Sequence, residues 1–143
     1  MGASIVGRWP GITYEHEQAL PGFWNDCGAW ADWLVACHGE PEAVATLKAV
    51  DCAALLSCTT EGEDEEDIPW VSPQVIVAEC KRMIGFIRDK DPRVPPLIEL
   101  YGRSEYCEDS AEADMIQDLS DVQKIAESAQ EHGATSFTLD VNW

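Results

Sequence analysis

The chain has 143 residues, 45% of them hydrophobic, and carries 27 acidic residues against 9 Lys+Arg, a formal charge of −18. That length fits one domain over residues 1–143, which buries roughly 68–70% of its unfolded surface without disulfide or metal staples. The hydrophobic content argues against disorder, no apolar run approaches the ~20 residues that cross a membrane, and the charge repels nucleic-acid phosphates and anionic lipid.

The first eleven residues, MGASIVGRWPG, have neither a cationic n-region nor an apolar h-region. The expectation is a cytoplasmic protein. Val6 stands where a myristoylation signal needs Ser or Thr. Over residues 3–9, Ile5, Gly7 and Trp9 alternate with Ser4, Val6 and Arg8, which predicts an edge strand. Pro10-Gly11 makes a turn. Residues 12–22, with Tyr14, His16 and Glu17, read as loop or a single helical turn.

Phe23–His38 holds three of the six tryptophans, Trp24, Trp30 and Trp33. Phe23, Cys27, Trp30, Leu34 and Cys37 follow a 4-3-4-3 spacing, one face of a central helix. Asn25 or Asp26 is its candidate N-cap, and Gly39 can close it in the left-handed conformation. Trp24 and Trp33 flank the stripe and are the candidates for a half-covered aromatic groove. Pro41 and Glu42 start the next helix, through Val44, Leu47 and Val50, with Leu55 and Leu56 as its furthest extent. Val50-Asp51-Cys52 marks a kink or a junction.

Thr59–Asp67, TTEGEDEED, reads as an exposed loop, because six of the seven residues from Glu61 to Asp67 are acidic. Ser72-Pro73 is an N-cap followed by proline at the first helical position. The helix it opens runs to about Asp89, with Ile76, Val77, Cys80, Met83, Ile84 and Ile87 on one face. Lys81, Arg82, Arg88, Lys90 and Arg93, five of the nine basic residues, complement its C-terminal dipole or pair with the acidic loop. Leu97–Tyr101 is one or two helical turns. Ser110 caps a short helix with Met115, Ile116 and Leu119. Ser120-Asp121-Val122-Gln123 is a capping-box pattern for another, with Val122, Ile125, Ala126 and Ala129 inward and Gly133 at its end. Phe137, Leu139, Val141 and Trp143 alternate with polar residues and predict a half-buried strand. Residues 3–9 are its first candidate partner and 68–71 its second; otherwise it pairs with another chain and makes a homo-oligomer.

No glycine-rich phosphate loop, no aromatic-studded basic patch and no catalytic elbow occurs. The six cysteines lack paired zinc spacing, and without a secretory signal they read as reduced core thiols. The acidic run lacks the ligand alternation of a calcium loop. His38 and His132 sit at helix ends beside glycines, where a cation suits the dipole. No cofactor and no metal is therefore expected.

These readings converge on an α+β, mostly α-helical domain of four to six helices with a small sheet from the terminal segments. The function they favour is a non-enzymatic acidic binding protein, of the inhibitor or immunity type, that neutralises a basic toxin or nuclease. Its expected contacts are Glu61, Glu63, Asp64, Glu65, Glu66 and Asp67, with a second patch of Glu105, Glu108, Asp109, Glu112 and Asp114. The alternative is a small Cys/His enzyme or ligand-binding protein that uses His16, His38 or a cysteine with the tryptophan groove.

Overall fold

The computed structural model describes residues 4–11, 21–24, 27–107 and 110–142. The alternation near the N-terminus does form a strand, β1 (Ser4–Arg8), but it lies inside the sheet rather than at its edge. The other strands are β2 (Gly22–Trp24), β3 (Thr59–Thr60) and β4 (Thr138–Asn142), in the order β2-β1-β4-β3. β1 pairs antiparallel with β4 from Ser4 opposite Asn142 to Arg8 opposite Thr138. On its other side Ile5 faces Phe23 of β2. β3 runs parallel to β4, Thr59 opposite Leu139. Both expected partners of the last strand are present, since Val71 bridges Phe137 as well. Over Leu139 and Asp140, β4 is paired on both sides.

Phe23 belongs to β2, so the central helix, α1, is shorter than its apolar spacing suggested and spans Cys27–His38. Asn25, Asp26, Trp143 and the Trp24 side chain lie outside the described residues. Cys27, Trp30, Leu34 and Cys37 are buried as the spacing requires, and so are Ala29 and Trp33. The wider burial follows from α1 touching β1 on one side and the later helices on others. Gly39 ends α1 without a left-handed backbone; the positive-φ glycines described are Gly11, Gly62 and Gly133.

Helix α2 (Pro41–Ala49) stops short of Leu55 because Asp51 takes φ 59° and turns the chain. A 3-10 segment, Ala53–Ser57, then buries Leu55 and Leu56. Thr59 and Thr60 are strand, not exposed loop, and exposure begins at Glu61. A short 3-10 turn, Glu65–Asp67, ends the acidic run.

Helix α3 (Pro73–Arg88) opens as expected, with Ser72 Oγ accepting from Val75 N. Helix α4 (Pro95–Gly102) inserts Leu97 and Tyr101. The two helices expected after Ser110 are one, α5 (Ala111–Glu131), capped by Ser110 accepting from Ala113 N. Ser120 is interior to it, its hydroxyl donating to the Ile116 carbonyl at 2.9 Å. Met115, Leu119, Val122, Ile125 and Ala129 keep the apolar spacing unbroken through that point, so nothing stops the helix. α5 packs along α3 and across β1, where Gly7 leaves room for Ile125. Among the described residues there are five α-helices around one contiguous core.

Candidate functional site

Trp33 is fully buried, not half covered, and its indole Nε1 donates to the Leu97 carbonyl at 3.1 Å. Its ring sits 5.3 Å from that of Trp30 and 6.1 Å from that of Tyr101. The aromatic cluster is therefore a core wedge between α1 and α4. The buried Tyr101 hydroxyl donates to the Asp118 carboxylate.

The open groove lies on another side of α1, where that helix faces β3. It is a cleft of about 190 Å3. From α1 come Ala31, Asp32, Leu34, Val35 and His38; opposite them stand Leu56, Thr59, Thr60, Glu61, Glu63 and Val141. Val35 is 74% exposed and stands on this rim. Trp30 connects the cleft wall to the aromatic core, its Nε1 donating to Thr59 Oγ1 at 3.0 Å.

Polar contacts hold the rim in place. His38 Nε2 donates to the Leu56 carbonyl at 2.9 Å, which ties the end of α1 to the 3-10 segment. Asp32 accepts from the Ser104 hydroxyl at 2.7 Å. The loop after β3 is anchored by Gly62 N donating to Asp140 Oδ1, with Gly62 at φ 70° turning the chain as few other residues can. The Glu61 amide donates to the Glu63 carboxylate. Three carboxylates, those of Asp32, Glu61 and Glu63, thus border a cleft with several apolar walls.

The expected acidic contacts fare differently. Glu61 and Glu63 line the cleft, while Asp64, Glu65, Glu66 and Asp67 are exposed beyond it. The second patch is not assembled in the same way. Glu105 is exposed, Glu112 pairs with Lys90 at 2.8 Å, and Asp114 accepts from the half-buried Cys107 thiol. Glu108, Asp109 and His16 lie outside the described residues. Of the basic residues on and after α3, three form ion pairs away from the loop: Arg82 with Asp51, Lys90 with Glu112 and Arg93 with Asp91.

The thiols are poorly suited to chemistry. Burial pushes Cys37 and Cys58 up to about 12, Cys52 to about 11, and Cys80 well above the ordinary 9.0. A neutral thiol is a weak nucleophile and a weak metal ligand. Among the described residues no group of three or more His, Cys, Asp and Glu is placed to hold a metal ion. His132 stacks on Trp9 at 5.3 Å and donates from Nδ1 to the Ser128 carbonyl.

No protein-family model, curated protein or solved structure matches the chain. Among the described residues, no helix is long and apolar enough to cross a membrane.

Two carboxylates on helices α3 and α5, outside the predicted apolar faces, are buried. Glu79 is 6% and Asp118 3% exposed. The signal existed: Glu79 is three residues after Ile76 and four before Met83, and Asp118 stands likewise between Met115 and Val122. Both are therefore on the inner face of their helices.

Proposed function

We propose that the chain is a non-enzymatic binding protein that takes a cationic group in the cleft between α1 and β3. One juxtaposition carries the reading: Asp32, Glu61 and Glu63 border a cleft walled by Leu34, Val35, Leu56 and Val141. A lysine or arginine side chain is amphipathic in the same sense. Its aliphatic stem can lie on the apolar wall while its head meets the carboxylates. The exposed carboxylates of residues 64–67 extend the negative potential outward and speed the approach of a cation.

In its fuller form the cation belongs to a basic protein, and the chain acts as an inhibitor or immunity-type protein against a toxin or nuclease. A free amine offers the same chemistry and gives the ligand-binding reading. That second reading is favoured by the Trp30–Thr59 hydrogen bond, which couples the cleft to the aromatic cluster. A thiol enzyme is less well supported, because Cys37, Cys52, Cys58 and Cys80 are held protonated. A reducing cytoplasm suits Cys37, Cys52, Cys58 and Cys80, all buried and free.

The test has two arms. Tryptophan fluorescence is titrated with small amines, and affinity capture is run at about 0.15 M and about 1 M salt, where the Debye length falls from roughly 8 to 3 Å. Amine binding that Glu61→Gln with Glu63→Gln abolishes supports the site. A basic protein retained only at low salt supports the fuller form. No amine response and no salt-sensitive capture would sink the proposal.

A further inference from the structure

We infer that the cation is carried on an extended segment of a basic partner protein, which adds to the sheet along β3 in the groove between β3 and α1. The inference rests on the cationic site proposed above and specifies its occupant.

Among the described residues β3 is an edge strand, bonded to β4 on one side only. Leu139 N donates to the Cys58 carbonyl at 2.8 Å. Cys58 thus turns its carbonyl toward β4, and the alternation of a strand turns the N–H and C=O of Thr59 the other way, to the open side of β3. Thr59 lines that groove, and α1 forms its far wall with Val35 and His38. An unpaired strand edge is a template for another backbone. When a helix runs beside such an edge, the added strand gains main-chain hydrogen bonds on one side and side-chain packing on the other.

Charge selects the occupant. Glu61 and Glu63 directly follow the edge, and Asp32 stands across from it on α1. A segment with cations at alternate positions would direct them to these carboxylates on one face of the added strand. An acidic or neutral strand would be repelled or left unrewarded, which is why a second copy of this chain, at −18, is a poor occupant.

The probe is an acetylated, amidated hexapeptide alternating lysine and valine, titrated by calorimetry and by tryptophan fluorescence. A second version carries N-methyl groups on alternate backbone nitrogens, in both registers. One methylation register should weaken binding at least about tenfold, and the other much less. Val35→Lys should also weaken the unmodified peptide about tenfold; its exposure lets the fold tolerate the change. Equal affinity of all three peptides overturns strand addition and leaves the cationic site standing. No binding of the peptide up to millimolar concentration overturns strand addition, and no response to small amines as well removes the site beneath it.

Discussion

The indole nitrogen of Trp30 donates to the hydroxyl of Thr59 at 3.0 Å, joining the core of α1 to the edge strand of the sheet. Trp30 is fully buried, so its N–H has no water to fall back on. Thr59→Val keeps the shape of the side chain and removes the acceptor. An unsatisfied buried donor costs about 1–3 kcal/mol. We expect Thr59→Val to lower the unfolding free energy by that amount, read as a lower urea midpoint with an unchanged m-value, and Thr59→Ser to restore most of it. A Thr59→Val protein as stable as the parent would mean that the indole had found another partner.

Glu79 gives a prediction with a defined sign. Its Oε1 accepts from Leu55 N at 3.1 Å. Burial nevertheless raises its carboxyl above the ordinary 4.5, and the amides of Leu55 and Ala54 with Arg82 offset this only in part. A carboxyl whose folded value is raised binds its proton more tightly in the folded state. Its contribution to stability is then full below 4.5 and is lost as pH rises through the raised folded value. Glu79→Gln keeps an acceptor oxygen without the charge. Relative to the parent, the variant should gain stability on going from pH 4 to pH 7, read as the difference of two urea midpoints at each pH. The same difference at both pH values would show that burial does not control this carboxyl.

The cysteines should be distinguishable by rate. Cys27, Cys37, Cys52, Cys58 and Cys80 are buried, and Cys107 is half-buried. Burial holds Cys37, Cys52, Cys58 and Cys80 protonated well past pH 9. Native protein treated with iodoacetamide at pH 8 should take one label, at Cys107, as read by mass spectrometry of the peptides. The same burial should weaken the fold in alkali. The unfolded thiols ionise near 9.0 and the folded ones near 11 to 12, so stability falls as pH rises across that interval. Fast labelling of Cys37 or Cys58 in the native state would contradict both expectations.

What the sequence revealed was local, and what it hid was long-range. The start of α3 was legible because Ser72 and Pro73 satisfy the first turn by themselves. β4 was legible because its period of two is uninterrupted, and its partner β1 shares that period. Phe23 was misread because it meets the helical spacing to Cys27 and the strand pairing to Ile5 equally well, and only the second needs a distant segment. β3 has two residues, too few for any period, and exists because β4 lies beside it. The site divides in the same way. Glu61 and Glu63 stood out by charge, whereas Asp32 and Val35 join them only once α1 packs against the sheet edge.

Ser120 supplies the sharpest test of that distinction. Its S-D-V-Q context has the form of a capping box, and a serine in that role loses about 1 kcal/mol on change to alanine. In the fold it lies inside α5, with its hydroxyl turned back to the Ile116 carbonyl. There a serine competes weakly with the helix backbone, and alanine is the better helix former by about 0.5 kcal/mol. Ser120→Ala should therefore leave stability unchanged or raise it slightly. Ser110→Ala, which removes the true cap of α5, should lower it by about 1 kcal/mol. Thermal melts of the two variants read the contrast directly. A loss of Tm at Ser120 as large as that at Ser110 would mean that the chain breaks at Ser120 in solution and that α5 is two helices.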